Sequence, residues 1–487
     1  MTPVPRLIVS GLKGGSGKTL LALGLARALS QDGLRLKPFK KGPDYIDAAW
    51  LGLAARCPAT NLDLFFLPPQ ELRALFLHAL ALPGSDGGPA DFALIEGNRG
   101  LFDGRDLEGS CSTAALARTL QSPILLALDC TKMTRTAAAL VQGVLRFEPD
   151  LSIAGVVLNK VGSDRHSALV RRAIEHYCPV QVLGALPRLP GNPLPERHTG
   201  LVLRQSTEAQ RADAETRLDT LAAAMRENLD LHLIRRLAQA APPVPGEKMV
   251  WKAASSVPSS VQPRIGYVRD AALWFYYEEN LGALQSAGAD LIRLSLFDGA
   301  AWPKLDGLYL GGGFPEECCA ELAAAPKLAL LKEYAEQGMP IYAECGGFLL
   351  LAASMERQGK SYPMAGVFPV RASFHERPQA LGYAEAVAVL PNPFHPRHTA
   401  FKGHEFHYSR CELLPEARAE YALQLTCGAG MGHANDGLVY KSVFASYMHI
   451  FAPAVPHWAE RFTAASARFA VRELELISRI ANIELVK

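Results

Sequence analysis

The chain is predicted to be an α/β protein with two domains, each built on a doubly covered parallel sheet. Three observations lead there. Short apolar runs bounded by Gly or Pro alternate with amphipathic stretches along both halves, the pattern of strands buried on both faces. Residues 241–263, APPVPGEKMVWKAASSVPSSVQP, carry five Pro and four Ser in 23 residues. That segment has no helical or strand period and reads as an inter-domain linker. Each flanking part also has a Gly-rich turn between an apolar strand and a helix. A length of 487 residues alone would admit about three domains of ~150 residues. The linker reduces that to residues 1–240 and 264–487.

In the first part, strands are predicted at Leu7–Val9, Phe92–Ile95, Ile124–Leu128, Ala154–Leu158 and Val180–Leu186. These runs are too short for helices and are bounded by turn residues. Helices are predicted at Lys18–Ser30, Thr113–Leu120, Thr134–Phe147 and Ser167–Tyr177, where good helix formers carry an apolar stripe. In the second part, strands are predicted at Arg264–Val268, Leu291–Leu294, Gly307–Leu310, Pro340–Ala343 and Val443–Tyr447. The helical tail from Trp458 to Ile480 reads as packing surface.

Composition removes several function classes. Fifty Lys and Arg against 48 Asp and Glu leave a formal charge of +2. A near-neutral chain lacks the clustered basic excess of a nucleic-acid binder. Nine Cys, an odd number with no C-x-x-C pair, argue against a disulfide framework or a Cys-based zinc site. No secretory signal and no long uncharged apolar run is visible. A cytoplasmic protein without membrane or nucleic-acid partners is expected, and the oligomeric state, a homodimer included, stays open.

Ile8–Thr19 reads IVSGLKGGSGKT, directly after a predicted strand and opening a helix. Small residues let backbone N–H groups converge on an anion, and the helix N-terminus adds its positive end. Lys13, Gly14, Gly15, Ser16, Gly17, Lys18 and Thr19 therefore form a candidate ATP-phosphate loop. Lys18 would reach the outer phosphates and Thr19 would sit on Mg²⁺. Leu12 stands where the standard loop has its first Gly, so the motif is the deviant form with an early second lysine.

Carboxylates accompany this loop. Pro38–Ala48 reads PFKKGPDYIDA and holds Asp44 and Asp47. The strand Phe92–Ile95 ends in Glu96, at the end of a buried parallel strand, where ligands bind in open sheets. Thr19, Asp47 and Glu96 make a candidate Mg²⁺ set. Asp44 and Asp47 also suit a Pro-Asp turn. Asp103 is a further loop carboxylate in GLFDG, and Asn159 follows a strand where an amide can read a base or cap a helix.

Pro340–Leu351 reads PIYAECGGFLLL, a strand, a Cys and an apolar helix. This is a nucleophile elbow in its Cys form, with Gly346 leaving a backbone N–H for an oxyanion. The helix N-terminus is expected to lower the Cys345 pKa. The base is sought among His375, His404, His407, His433 and His449. LYLGGGFP adds Gly312 or Gly313 as a second oxyanion donor. A buried structural Cys is the competing reading.

GPDYID, EGNRGLFDG, GGGFPE, AECGG, GHEFHYS and SYMHIF together resemble the cobyrinate a,c-diamide synthase family. LPERHTGL, RDAALWFYYEENL and LGYAEA extend the resemblance over essentially the whole chain. It implies a dethiobiotin-synthetase-like P-loop domain joined to a class I glutamine amidotransferase domain of flavodoxin-like fold. It further implies an amide ligase using ATP, Mg²⁺ and L-glutamine on a cobyrinate-like tetrapyrrole macrocycle, with amidation of the a and c acetate side chains through acyl phosphates. Cys345 is then the nucleophile and His449 its base. Asp44, Asp47 and Asp103 face the substrate, and a shielded ammonia route is expected. Lys13, Arg99 and Phe451 depart from the family pattern. Most class I amidotransferases place a Glu two residues after the catalytic His. Phe451 stands there, so the resemblance implies a Cys–His pair without a third member. Hydrogenobyrinate and nickel-sirohydrochlorin stay open as alternative macrocycles. A partitioning-type ATPase would share the loop and leave Cys345 and His449 unexplained.

Overall fold

The computed structural model describes residues 4–84, 87–189, 194, 196–197, 200–201, 208–249 and 261–485. The middle of the linker and three residues of LPERHTGL, 195, 198 and 199, lie outside them. The chain divides into two compact units, residues 1–250 and 251–487.

Unit one is a seven-stranded sheet. Its strands are β1 (Arg6–Gly11), β2 (Leu36–Lys41), β3 (Thr60–Leu62), β4 (Phe92–Glu96), β5 (Ile124–Asp129), β6 (Ile153–Val161) and β7 (Val182–Pro187). The order is β3-β2-β4-β1-β5-β6-β7, parallel throughout. The predicted strands are all present, each within a few residues of its expected ends. Helix α1 (Lys18–Gln31) packs through Leu21, Leu25 and Leu29, all at most 1% exposed. Each such side chain contributes about 1.5–3 kcal/mol by leaving water.

The sequence reading missed β2 and the helix α2 (Tyr45–Ala55) behind it. LKPFKK looks polar, yet every residue of it is buried. Its lysines are satisfied by tertiary partners: Lys37 Nζ donates to the Pro58 carbonyl at 2.6 Å, and Lys40 meets two carboxylates. Asp44 is the N-cap of α2, its carboxylate accepting the Asp47 N–H at 2.9 Å. The turn chemistry of Pro-Asp is thus used, whatever else the residue does.

Unit two corrects the expectation of a parallel sheet. Five strands run parallel, in the order Asp290–Leu294, Arg264–Val268, Gly307–Leu310, Ile341–Glu344 and Val443–Ser446. Five more extend the sheet antiparallel: Asn435–Tyr440, Tyr421–Cys427, Ala380–Ala388, Ala400–His407 and His449–Ile450. The physical reason is connection length. Only Lys441 and Ser442 separate Tyr440 from Val443, which suits a hairpin and cannot hold the crossover that a parallel pair requires. The C-terminal helix Trp458–Leu485 packs through Trp458 and Phe462, both fully buried.

All nine cysteines are free thiols. Among the described residues no helix is long and apolar enough to cross a membrane.

Gly17 caps α1 with φ of 89°, and a Cβ there would stand 2.0 Å from Asn159 Nδ2. Gly17→Ala should therefore lower stability by about 1–3 kcal/mol. A denaturant midpoint equal to that of the wild type would show that the loop tolerates the side chain.

Two candidate active sites

The first site forms where β1, β2 and β4 end. The loop after β1 is tied down from β6: Asn159 Nδ2 donates to the Ser16 carbonyl at 2.9 Å, and Lys160 Nζ to the Gly15 carbonyl at 2.8 Å. Lys160 also pairs with Asp129 at 3.0 Å. The Asn159 amide thus supports the loop. Within the loop, Ser16 Oγ and Lys18 Nζ both donate to the Lys13 carbonyl, at 2.9 and 3.1 Å. A Cβ at Gly14 or Gly15 would meet nothing within 4 Å, so the backbone there faces open space of the kind a phosphate fills.

Sheet register builds the charged cluster. Glu96 is the register partner of Val9 on one side and of Lys40 on the other. Lys40 and Glu96 therefore project from the same face. Lys40 Nζ lies 2.6 Å from Asp47 Oδ2 and 3.1 Å from Glu96 Oε1. Thr19 Oγ1 donates to Glu96 Oε1 at 2.5 Å. Glu96 Oε2 is buried with no hydrogen-bond partner among the described residues.

Burial dominates the electrostatics. It pushes the Glu96 carboxyl up to about 7, with Lys40 opposing and Asp47 assisting. Asp44 rises to about 6 through burial and the neighbouring Asp47 charge. Burial opposes the Lys40 ammonium, but Asp47 and Glu96 outweigh it and hold Lys40 charged. Burial also lowers Lys18, with Glu96 the main opposing charge.

The structure thus brings Thr19, Asp47 and Glu96 together, as the sequence reading expected, and adds Lys40, which that reading missed. Lys40 carries no local signal in the sequence, because its place beside Glu96 depends on the pairing of β2 with β4. Asp103 accepts the Gly100 N–H at 2.8 Å and closes its own turn, within electrostatic reach of Lys18. Among the described residues no three His, Cys, Asp or Glu side chains cluster as a metal site. One hydroxyl, two carboxylates and an unsatisfied Glu96 oxygen fit Mg²⁺, which takes few protein ligands and completes its shell with phosphate and water.

The second site forms at the end of the strand Ile341–Glu344. Cys345 follows it with φ of 44° and ψ of −101° and caps the helix Gly346–Leu351. A non-glycine residue in that region costs about 1–3 kcal/mol and needs surroundings that enforce it. The Cys345 N–H donates to the Ser446 carbonyl at 2.7 Å, and the Gly347 N–H to the Gly311 carbonyl at 2.9 Å. These bonds hold the elbow.

The glycines converge on it. A Cβ on Gly346 would approach Gly313 N to 2.8 Å, and one on Gly312 would approach His449 Cε1 to 2.3 Å. Only glycine permits such contacts. Gly346, Gly313, Gly312 and the His449 ring therefore form one continuous surface beside Cys345. His449 is fully buried and stacks on His404, with centroids 4.9 Å apart. His407 stacks instead on Tyr447, and His375 and His433 are exposed. Glu344 Oε2 lies 3.4 Å from His449 Nδ1, both residues being 0% exposed.

One expectation is overturned. The Cys345 thiol is held well above its ordinary pKa, because burial and the Glu316 charge outweigh the Gly346 N–H. The helix behind it is six residues long, and its positive end does not offset the desolvation of a thiolate. The resting group is a thiol, so a nearby base must take its proton.

Residues 7–201 match the family model described as the CobQ/CobB/MinD/ParA nucleotide binding domain. Residues 264–455 match that of the CobB/CobQ-like glutamine amidotransferase domain. The chain is 40% identical to a protein named cobyrinate a,c-diamide synthase from Magnetococcus marinus, over 94% of this chain and 96% of that one. Identity to the proteins of that name from Syntrophotalea carbinolica and Salmonella typhimurium is 38% and 35%, over 95% of this chain in each case and 97% and 98% of theirs. Matched along nearly its whole length by proteins of that name and carrying both domains, the chain belongs to the cobyrinate a,c-diamide synthase family.

Proposed function

We propose that the chain uses ATP and glutamine to convert the a and c acetate carboxylates of cobyrinate into amides. The observation that carries this reading is the presence, in one chain similar throughout to proteins of that name, of a phosphate loop beside buried carboxylates and a strained Cys elbow beside a buried His.

In unit two, Cys345 Sγ attacks the side-chain amide carbon of glutamine while His449 takes the thiol proton. The developing oxyanion is met by backbone N–H groups of Gly346 and of Gly312 or Gly313. His449 returns the proton to the leaving nitrogen, the C–N bond breaks, and ammonia departs from a thioester. Water, activated by the same His, then releases glutamate.

In unit one, a substrate carboxylate oxygen attacks the γ-phosphorus of ATP, and ADP leaves. Lys18 and Lys13 neutralise charge on the transferred phosphoryl group. Thr19, Asp47 and Glu96 would hold Mg²⁺, which supplies further charge neutralisation. Lys40, held between Asp47 and Glu96, presents its ammonium to the same place. Ammonia attacks the acyl carbon, and phosphate leaves with the former carboxylate oxygen. Activation is required because a carboxylate is a poor electrophile. Asp44, Asp47 and Asp103 are the acidic groups nearest to where the macrocycle would be worked on.

Cys345→Ala should abolish amidation with glutamine while sparing amidation with ammonium salts. Loss of both activities in a folded variant would contradict this division. Lys18→Ala should remove amidation with either nitrogen donor, measured as amide product, while glutamate release persists. Retained amidation would reject the loop assignment. Mass spectrometry of cobyrinate, hydrogenobyrinate and nickel-sirohydrochlorin after incubation with ATP, Mg²⁺ and glutamine should show two added amides on cobyrinate. Diamidation of another ring alone would reassign the substrate.

A further inference from the structure

The catalytic pair in unit two is missing its expected third partner in sequence. Phe451 stands two residues after His449, fully buried, its ring 5.1 Å from that of Tyr277. No carboxylate can come from there. Yet a carboxylate does face His449, from the residue immediately before the nucleophile.

Glu344 ends the strand Ile341–Glu344 and is the register partner of Ser446. Its Oε2 lies 3.4 Å from His449 Nδ1. Its Oε1 accepts the Ile450 N–H at 3.3 Å, gripping the backbone next to the His. The nearby Tyr309 hydroxyl also favours the ionised form of the same carboxyl. Asn280 Nδ2 donates at 3.0 Å both to Tyr309 Oη and to the Ile450 carbonyl, and Asn280 Oδ1 accepts the Ala452 N–H at 2.7 Å. The His449–Ile450 segment is therefore clamped on both sides, and Glu344 is the group in that clamp able to carry a negative charge.

We propose that Glu344 is the positioning residue of the glutamine site, replacing the carboxylate that Phe451 cannot supply. The inference rests on Cys345 and His449 being the reacting pair. A carboxylate 3.4 Å from Nδ1 favours the tautomer protonated there, which leaves the lone pair of His449 on Nε2, and it places a counter-charge beside the imidazolium formed when the thiol is deprotonated. This matters more here than in an exposed site, because Cys345 starts as a thiol held above its ordinary pKa by burial. A fully buried carboxylate is costly unless a cation or several donors meet it. His449, Ile450 and Tyr309 offset part of that cost for Glu344, while burial still pushes its carboxyl up from the ordinary range.

Other groups surround the imidazole. His404 stacks on it from the strand Ala400–His407, and burial keeps His404 neutral. Tyr277 Oη lies 3.5 Å from His404 Nδ1. The Phe275 ring, from the strand Leu273–Phe275, is 6.4 Å away and uncharged. Gly312 faces the ring with no side chain, and Cys345, Glu316, Cys411 and Tyr447 are further titratable groups around the elbow.

The test compares Glu344→Gln and Glu344→Asp with Cys345→Ala, using glutamine and ammonium as alternative donors. Glu344→Gln should cut glutamine-dependent turnover by about 10²-fold or more and leave ammonia-dependent turnover intact. Loss of the adjacent anion disfavours the imidazolium, so the acidic limb of kcat/KM for glutamine should move to lower pH. Glu344→Asp should regain part of the lost turnover. Wild-type glutamine turnover in Glu344→Gln would overturn the proposal. So would a loss with an unmoved acidic limb, Asp no better than Gln, or loss of ammonia-dependent activity in both variants, since each assigns the carboxylate to packing alone. If Cys345→Ala itself still uses glutamine, the underlying assignment of the nucleophile fails instead.

Discussion

Each unit ends one central parallel strand on a fully buried carboxylate, and the chemistry of each is arranged around satisfying it. Glu96 closes β4 and Glu344 closes the strand Ile341–Glu344, both at 0% exposure. An ionised carboxylate in such a place is unaffordable alone. In unit one the compensation comes from Lys40, one strand away in register, and from the Thr19 hydroxyl at the start of α1. In unit two it comes from His449, the Ile450 N–H and Tyr309. The groups that stabilise the carboxylate are also groups that can act on a substrate, so the needs of folding and of catalysis fall on the same residues.

The two sites solve opposite problems. In the reaction we propose, a carboxylate is made into an electrophile in unit one, and that calls for concentrated positive charge: Lys13, Lys18, Lys40 and a helix N-terminus. In the same proposal a thiol is made into a nucleophile in unit two, and that calls for a base held in one orientation. Burial serves both. It strengthens the Lys40–Asp47–Glu96 interactions by removing water, and it holds the Cys345 thiol well above its ordinary pKa.

Much of this was legible in the sequence, where one local signal sufficed. FALI and ILLAL are apolar throughout and too short for helices, and they form β4 and β5. Gly17 and the AECGG turn mark boundaries by backbone chemistry, and the structure keeps them. What escaped depends on tertiary pairing. β2 reads as polar because its lysines are matched by Pro58, Asp47 and Glu96, which are distant in sequence or lie beyond the next turn. The antiparallel half of the second sheet follows from short hairpins, which the search for strand–helix alternation passes over. Glu344 was in plain view beside the nucleophile. Its approach to His449 depends on the pairing of the strands ending at Glu344 and Ser446, which no spacing rule encodes. The thiol pKa was misjudged because a helix end is visible in sequence and burial is not.

The central claim is that unit one uses ATP to turn a substrate carboxylate into an acyl phosphate before ammonia attacks. The direct measurement is to label both oxygens of the reacting carboxylates with ¹⁸O and analyse the inorganic phosphate released during amidation. The account requires one ¹⁸O in phosphate for each amide formed, since the bridging oxygen leaves with phosphorus. Amide formation accompanied by unlabelled phosphate would contradict it.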